Sequence, residues 1–265
     1  MCRKTRLVGL PNMKITSSPK LSIIIATWNA AKTLERCLAS ITTQTFTDWE
    51  LLIRDGGSTD ATLSIIEKYQ STVTWWESAP DDGIYDAWNQ ALAHARGEYV
   101  CFLGADDAWA GARSLETLFA AVSNGVYDLV TSRGMLRDDC WQPAHPVGVS
   151  WREARLPRRI RLCHPGLLHH HSLFTRFGGF NTRYRIAADF EFLLRLPPGI
   201  RTFDVPSILI DIQDQGISRH RFWQRIRETR EVHAASPRVG PTKAWLYWVD
   251  KAWRRPIARM FGLPH

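Results

Sequence analysis

Residues 21–55 read LSIIIATWNAAKTLERCLASITTQTFTDWELLIRD, and this stretch decides the fold class. The first seven residues are a nearly continuous apolar, β-branched run, which is typical of a strand buried on both faces of a sheet. Apolar residues then recur at helical spacing over residues 34–41, and WELLIRD (residues 49–55) has the composition of a second strand. A strand, a helix and a strand in this order predict a parallel β-α-β unit.

The same alternation continues along the chain. Residues 73–78, 98–104 and 126–132 are further strand candidates, and helical patterns separate them. We therefore predict an α/β fold with a mostly parallel central sheet that carries helices on both faces. The predicted organisation is an N-terminal tail over residues 1–20, one domain over residues 21–220, and a basic, Trp-rich helical segment over residues 221–265.

Composition narrows the class of protein. The chain has 265 residues, of which 45% are apolar and 23% charged, and this is an ordinary globular composition. Its five cysteines form no CxxC pair, which indicates reduced thiols in the cytoplasm. No segment has the pattern of a signal peptide or a membrane span. The net charge of +8 fits nucleic acid, an anionic membrane surface or a phosphate-bearing substrate.

Polar residues follow the predicted strands at the point where each strand ends. Thr27 and Asn29 follow the first strand, Asp55 ends the second, and the adjacent pair Asp106 and Asp107 follows a later one. Ligands of parallel sheets bind outside the carboxyl ends of the strands. Two adjacent acids raise each other's pKa unless a cation neutralises them, so we expect Mn²⁺ or Mg²⁺ at this pair. The alternative role for the pair is a helix N-cap.

Other polar residues of the domain have more than one possible role. Asp55 is either a turn residue or an acceptor for a nucleobase N–H. Asp86 and Asn89 are spaced i, i+3 on an apolar helix, so the pair either faces a ligand or braces the pocket, unless it is a solvated face.

The second half of the domain offers further candidates. The stretch CHPGLLHHH lacks the spacing of a structural zinc site. Its His164 and His169 are candidates for contact with an acceptor or a phosphate, or are loop residues without a role. Asp189 stands at the start of an apolar helix, where it is either a cap or a general base.

Several of these segments resemble the family 2 glycosyltransferases, which have a GT-A fold with a single Rossmann-like, nucleotide-binding domain. The segments are SIIIATWNAAKTLERCLASITTQTFTDWELLIRDGGSTDAT, DDGIYDAWNQALAHARGEYVCFLGADD and LFTRFGGFNTRYRIAADFEFLLRL, and QDQGIS fits the region that follows them. Together they cover roughly residues 20 to 220 in order. The resemblance is greatest to the bacterial surface-polysaccharide branch. It implies transfer of a sugar, with inversion, from a nucleotide-sugar to a hydroxyl of a saccharide or lipid-linked saccharide.

The resemblance also implies roles for individual residues. Thr27, Asn29, Asp55 and Asn89 match positions that hold the nucleotide, and Asp106 matches the metal-binding acid of the Asp-X-Asp motif. Asp189 matches the catalytic base. The first acid of the motif is replaced by Gly104, so Asp106 and Asp107 would carry the metal with help from the substrate. The favoured donor is a UDP-sugar, with GDP- and dTDP-sugars as alternatives.

Three other functions compete with sugar transfer. A nucleotidyltransferase that makes the activated sugar would carry a Gly-rich, basic loop after its first strand, and ATWNAAKTLERC has none. A nucleic-acid-binding protein would need a basic face with base-contacting elements, and the acidic strand ends disfavour it, so we expect no nucleic-acid partner. A non-catalytic nucleotide-sugar binder is the third alternative.

The C-terminal segment combines aromatic and basic residues, as in TKAWLYWVDKAWRRPIARMFGLPH. This composition is typical of a helix on an anionic membrane leaflet, which would suit a lipid-linked acceptor on the inner face of the cytoplasmic membrane. The alternative is a helix docked on the catalytic core with its Trp side chains buried.

Overall fold

A computed structural model describes residues 18–154, 156–157, 161–214, 221–247 and 249. The predicted tail therefore lies outside the described residues except for its last three, and so does most of the chain after residue 247. The strands are β1 Leu21–Thr27, β2 Trp49–Asp55, β3 Trp75–Ser78, β4 Tyr99–Gly104, β5 Ala108–Trp109, β6 Leu129–Arg137, β7 Pro143–Val147, β8 Leu168–His170 and β9 Thr202–Gln213. The helices are α1 Leu34–Thr42, α2 Thr62–Lys68, α3 Ile84–Leu92, α4 Ser114–Ala121, α5 Ser172–Phe177, α6 Ala188–Arg195 and α7 Phe222–Ala235.

The first half of the sheet is parallel, as the β-α-β pattern predicts. The strand order is β3-β2-β1-β4, and β1 pairs in parallel with both β2 and β4. The side chains of Ile23, Ile24 and Ile25 are all fully buried, because helices cover both faces of β1. Since the four strands run in one direction, their carboxyl ends lie at the same edge of the sheet.

The second half of the sheet mixes both directions. The order continues β8-β6-β9-β5, with β6 and β9 parallel, whereas β8 runs antiparallel to β4 and β6. The short strand β5 pairs antiparallel with β9, and β7 forms a hairpin with β6. The α/β fold with a mostly parallel core is confirmed, and the antiparallel additions lie where the sequence pattern weakens.

Two apolar clusters enclose the sheet, one on each face. One cluster joins alternate residues of β1 and β4, such as Ile23 and Cys101, to helices α1, α2 and α4. The other joins the opposite side chains, such as Ile24 and Phe102, to helices α3, α5 and α6 and to Val232 of α7. The predicted C-terminal helical segment is present as α7 and as helical residues 240–247. None of the described helices is both long and apolar enough to cross a membrane.

The sequence predicts a cap of α2 by Ser58 or Thr59 and an end of α3 at Gly97, and both predictions are wrong. Helix α2 begins at Thr62 without a side-chain cap. Helix α3 ends at Leu92. A Cβ at Gly97 would lie 2.5 Å from the backbone nitrogen of Ser22, so glycine is needed there for close packing against β1.

Candidate active site

Asp55 ends β2, and its buried carboxylate organises the edge of the sheet. It accepts hydrogen bonds on Oδ1 from the hydroxyls of Thr27 (2.8 Å) and Ser58 (2.5 Å), and on Oδ2 from the Gly57 and Ser58 amides (3.0 and 2.8 Å) and the Ser78 hydroxyl (2.7 Å). Burial raises the pKa of Asp55, but the hydrogen bonds from Ser58, Ser78 and Thr27 outweigh it and hold the pKa below its usual value. Five accepted bonds fill the carboxylate. Asp55 therefore ties three strand ends together and leaves no free acceptor for a nucleobase.

The loops after β1 and β2 are joined by a second set of hydrogen bonds. Asn29 has a left-handed backbone (φ 49°), and its side chain accepts from the Thr59 amide at 2.9 Å. Its own amide donates to the Ser58 hydroxyl at 2.8 Å, and the Ala31 amide donates to Asp60 at 3.1 Å. The structure thus brings Thr27, Asn29 and Asp55 together in one bonded cluster at the expected edge.

We expect Asp55→Asn to lower the free energy of unfolding by about 2–4 kcal/mol at pH 7, because an amide group would face donors in a buried network. The folded pKa of Asp55 is depressed, so its stabilisation is present above the unfolded pKa of about 3.9 and is lost as the pH falls through the folded value. Urea unfolding from pH 7 to pH 3 should show the gap to wild type closing below about pH 4. Asp48→Asn, exposed at the opposite end of β2, is the control, and equal losses in both variants would contradict the role of Asp55.

Asp106 and Asp107 follow β4 at the same edge. Burial raises the pKa of Asp106, and burial together with the charge of Asp106 raises the pKa of Asp107 well above its usual value. Asp107 Oδ2 accepts a hydrogen bond from the Gly104 amide at 3.1 Å. The nearby guanidinium of Arg36 only partly offsets the two negative charges.

Gly104 explains how this chain departs from the Asp-X-Asp pattern. A Cβ at Gly104 would lie 2.6 Å from Asp106 Oδ1 and 2.6 Å from Asp107 Oδ2. Two carboxylate oxygens therefore converge over the bare backbone of Gly104. A side chain at this position would push both carboxylates away. The close approach of Asp106 and Asp107 therefore requires that position 104 carries no acid.

The pair fits a hard divalent ion through the chemistry of its oxygens. Mn²⁺ and Mg²⁺ take carboxylate oxygens, and Mg²⁺ is commonly held by one or two carboxylates together with substrate phosphates. In the described part of the chain, no cluster of three or more His, Cys, Asp or Glu side chains is suited to a metal ion. Two protein ligands are thus what the described residues offer, and phosphate oxygens would have to complete the coordination.

Arg36 links the acidic loop to the far side of the sheet. Its guanidinium donates to the Asp106 carbonyl (3.1 Å) and to Gln213 Oε1 (3.4 Å) and lies over the Trp141 ring, 3.4 Å from the centroid. Burial lowers the pKa of Arg36, and the charges of Asp106 and Asp107 oppose that effect. The stacked guanidinium therefore holds the backbone of the loop that presents the two acids.

Asp86 and Asn89 lie on α3 and are engaged within the protein. Asp86 Oδ2 accepts from the Asp82 amide (3.1 Å) and from Gln90 Nε2 (2.9 Å), so it closes the N-terminus of α3. Asn89 exchanges two hydrogen bonds of 2.8 Å with the backbone of Phe180. Of the three readings for this pair, the structure matches the brace, because these hydrogen bonds hold both side chains within the protein and away from the strand-end cluster.

Asp189 begins α6 and reaches the same edge through Tyr85. The Tyr85 hydroxyl lies 3.1 Å from Asp189 Oδ1 and 2.9 Å from the Ile186 carbonyl. Tyr85 belongs to the first turn of α3, which begins just after the carboxyl end of β3. The half-buried carboxylate of Asp189 is therefore placed beside the edge that carries Asp55 and Asp106.

The two candidate histidines lie in an aromatic cluster with Phe102, Phe174, Phe180 and Phe192. His169 is fully buried between β4 and β6, and burial followed by the neighbouring His164 lowers its pKa to about 3. The backbone of Val100 and Leu167 raises that pKa slightly, although neither group reaches hydrogen-bond geometry. His169 is thus a core residue that the structure does not bring to the site.

His164 occupies a different position in this cluster. Its ring stacks on Trp88 with a centroid distance of 5.6 Å, and its buried Nε2 has no described partner. Burial lowers its pKa, and the charge of Asp189 acts in the opposite direction. His164 therefore stands as a neutral imidazole within electrostatic reach of Asp189.

Trp28 is a further candidate residue at this edge that the sequence did not indicate. It lies between Thr27 and Asn29 at the end of β1, and 71% of its side chain is exposed. Its position at the strand end was visible in the sequence, but an indole normally signals burial, so exposure could not be anticipated. A flat aromatic face is thereby available beside the cluster formed around Asp55.

Comparisons with known proteins agree with this geometry. The family described as glycosyl transferase family 2 matches residues 22–181. The PGL/p-HBAD biosynthesis glycosyltransferase of Mycobacterium bovis is 34% identical over 197 residues, which are 73% of each chain. The solved structure of S. aureus TarS 1-349 covers 90% of this chain and 74% of its own, with a TM-score of 0.65 at 18% identity. The mannosyltransferase PcManGT from Pyrobaculum calidifontis covers 90% and 70%, with a TM-score of 0.62 at 22% identity.

The structural matches show that most of the chain has the same fold as solved GT-A proteins. The sequence matches show that it is related to glycosyltransferases. Asp189 and α7 lie beyond the matched residues 22–181, so their roles depend on the geometry described above. The chain therefore belongs to glycosyl transferase family 2 and is a glycosyltransferase with the GT-A fold.

Proposed function

We propose that the protein transfers a sugar, with inversion, from a nucleotide-sugar to a hydroxyl of a saccharide or lipid-linked saccharide in cell-surface polysaccharide synthesis. The observation that carries this proposal is the convergence of three groups at one sheet edge. These are the cluster around Asp55, the carboxylates of Asp106 and Asp107, and the carboxylate of Asp189. The nucleoside and the diphosphate of the donor and the attacking hydroxyl of the acceptor need three such partners, in that order.

The nucleoside binds, in this proposal, at the loops after β1 and β2. Trp28 offers its exposed face to the base, and Asn29 lies beside it. Thr27 and Asp55 serve the donor through these loops, because their own polar atoms are bonded to one another. Asp86 and Asn89 act one step further away, by fixing α3 against the segment that leads to Asp189.

Asp106 and Asp107 would hold Mn²⁺ or Mg²⁺ together with the diphosphate of the donor. When bound, the ion neutralises the charge that develops on the leaving diphosphate. Burial of both acids supports this role, since a cation removes the cost of two neighbouring buried charges. The mannosyltransferase PcManGT, which shares the fold, was solved with GDP-Man and Mn²⁺, which supports a divalent ion in this proposal.

Asp189 acts as the general base. It takes the proton from the acceptor hydroxyl while the hydroxyl oxygen attacks the anomeric carbon from the face opposite the diphosphate. The bond from the anomeric carbon to the diphosphate oxygen breaks, and its electron pair leaves with the nucleoside diphosphate. One displacement inverts the anomer. His164, whose buried Nε2 has no partner among the described residues, is proposed to contact the acceptor or a phosphate.

A UDP-sugar is the proposed donor. TarS was solved with UDP-GlcNAc, and PcManGT was solved with a GDP-sugar, so the fold admits more than one base. A thermal-shift screen with Mn²⁺ should include UDP-N-acetylglucosamine, UDP-glucose, GDP-mannose and dTDP-rhamnose, followed by assay of nucleoside diphosphate release. We expect a UDP-sugar to give the largest shift and the release of UDP. A shift without turnover would indicate a non-catalytic binder, and synthesis of a nucleotide-sugar from UTP and a sugar 1-phosphate would contradict sugar transfer.

We also propose that α7 lies on an anionic membrane surface. Its buried face includes Ile226 and Val232, of which Val232 packs on the core, while Trp223, Arg227 and Arg230 form a stripe on the opposite face. Trp223 is 67% exposed, and Trp245 in the following helical segment is 56% exposed. Indoles and guanidinium groups on the exposed side of a docked helix support this proposal. Most of the stretch TKAWLYWVDKAWRRPIARMFGLPH, on which the membrane interpretation from the sequence depends, lies outside the described residues.

A flotation assay tests the membrane surface. We expect wild type to float with vesicles containing anionic phosphatidylglycerol and to remain unbound with neutral phosphatidylcholine. The double variant Trp223→Ser, Trp245→Ser should partition about tenfold less, because two apolar side chains no longer enter the interface. Val126→Ser, an exposed apolar residue outside α7, is the matched control. Equal flotation of the double variant and the control would disprove this surface.

A further inference from the structure

Residues Ile186 and Ala187, just before α6, are held from two sides. Glu228 Oε2 of α7 accepts hydrogen bonds from the amides of Ile186 (2.8 Å) and Ala187 (3.1 Å). From the other side, the hydroxyl of Tyr85 lies 2.9 Å from the Ile186 carbonyl. Asp189 follows two residues later, so this clamp, formed by Glu228 and Tyr85, fixes the backbone that presents its carboxylate.

A buried carboxylate at position 228 costs desolvation free energy, so we ask which interaction offsets that cost. Glu228 is buried, and its other oxygen accepts from Gln224 Nε2 at 2.8 Å. A buried charge is expensive to desolvate, and Val232 already docks α7 on the core by apolar contact. The amides before and within the first turn of a helix lack intrahelical partners and favour a negative charge. Glu228 supplies both an acceptor and that charge to α6 from another helix.

The clamp also leaves one side of Asp189 available. Asp189 Oδ1 accepts from the Phe190 amide at 2.7 Å and lies 3.1 Å from the Tyr85 hydroxyl. Among the described residues, none donates a hydrogen bond to Oδ2. The hydroxyl of Tyr85 has one proton for two acceptors, the Ile186 carbonyl and Asp189 Oδ1. Backbone and carboxylate are thus oriented by the same hydroxyl.

We propose that Glu228 of the C-terminal helix, with Tyr85, is a positioning residue for the base Asp189. This inference rests on the proposed function, in which Asp189 takes the acceptor proton. It assigns α7, which lies outside the matched residues 22–181, to the catalytic apparatus. A small displacement of a catalytic group lowers the rate strongly while leaving the rest of the substrate site intact.

The test compares Glu228→Gln with Glu231→Gln, using Mn²⁺ and the nucleotide-sugar of the screening panel that wild type turns over. Glu231 lies on the same helix, where Arg227 is 3.9 Å away in an exposed ion pair. We expect Glu228→Gln to lower kcat by about tenfold or more, with the donor KM and the calorimetric Kd for the donor unchanged. Glu231→Gln should keep wild-type values. Thermal unfolding of each variant establishes that the comparison is made on folded protein.

Tyr85→Phe and Asp189→Asn distinguish failure of the clamp from failure of the base assignment. Tyr85→Phe removes only the hydroxyl of the clamp and should show the same loss of kcat at constant KM. A wild-type kcat in folded Glu228→Gln or Tyr85→Phe would overturn the clamp, as would parallel losses of kcat and donor affinity. If Asp189→Asn itself retains turnover, the base assignment fails, and if wild type turns over no member of the panel, the proposed function fails. Loss of turnover in Asp189→Asn together with normal kcat in Glu228→Gln would refute the clamp alone.

Discussion

Asp189→Asn should lower kcat for sugar transfer by about 10²–10⁴-fold while leaving donor affinity within about twofold of wild type. Asparagine keeps the size of the side chain and can still approach Tyr85 and the Phe190 amide. Its amide group cannot take the proton from the attacking hydroxyl. Tyr85 and the Phe190 amide engage Oδ1 in the native protein, so the substitution leaves the local fold in place. The loss should therefore fall on the chemical step and spare binding.

Glu191→Gln is the matched control for this substitution. Glu191 belongs to the same first turn of α6, but it forms an ion pair with Arg195 (3.1 Å) and has no contact with Tyr85. The measurements are steady-state release of nucleoside diphosphate and calorimetric binding of the donor. Near-normal turnover by Asp189→Asn, or an equal loss in Glu191→Gln, would show that Asp189 is not the base.

Asp106→Ala should abolish the dependence of turnover on Mn²⁺ and lower kcat/KM by at least about 10²-fold. The reason is that Asp106 and Asp107 are the acids that converge over Gly104, and the described residues offer no third acid or histidine to replace one of them. Asp107 is the more deeply buried of the two and holds the Gly104 amide, so Asp106 is the cleaner probe of metal binding.

The readouts are an Mn²⁺ titration of turnover and donor binding measured with Mn²⁺ or with EDTA. In wild type, donor affinity should rise when Mn²⁺ is added, and in Asp106→Ala it should be insensitive to the ion. Asp48→Ala, exposed at the other end of β2, controls for the loss of a surface carboxylate. A normal Mn²⁺ response in Asp106→Ala would place the metal, or the charge it neutralises, elsewhere.

The parallel half of the fold could be predicted because its sequence signal is local. Buried parallel strands need continuous apolar runs, and the helices between them need a 3.6-residue period, so β1, α1 and β2 are visible within 35 residues. The antiparallel strands β5, β7 and β8 have two to five residues each, and β5 and β8 pair with strands that are distant in the sequence. Short strands carry too few residues for a period to be detected, and their partners depend on tertiary packing.

The sequence indicates where the candidate site lies in the fold, but it does not indicate the hydrogen-bond partners of the residues there. The topology alone places Thr27, Asp55 and Asp106 at one edge. Whether a polar side chain at that edge faces a ligand or a neighbour depends on which donors surround it. Asp55 meets five donors from three segments, and Asn89 meets the backbone of Phe180, 91 residues away. Neither partnership leaves a signal in the local sequence.

The contribution of the C-terminal helix was hidden for the same reason. A glutamate in RETREV has the appearance of a solvated helix residue, yet the side chain of Glu228 is buried against amides 41 and 42 residues earlier. The exposed indole of Trp28 is the converse case, since an apolar residue after a buried strand is expected to continue the core.

The central claim is that this chain performs an inverting sugar transfer that depends on Asp189. Proton NMR of the turnover of an α-linked nucleotide-sugar with Mn²⁺, recorded before mutarotation, tests this claim most directly. Wild type should give a β-configured product, whether water or a sugar hydroxyl accepts the glycosyl group, and Asp189→Asn should give no product over the same interval. An α-configured product from wild type, or a β-configured product formed at the same rate by Asp189→Asn, would contradict it.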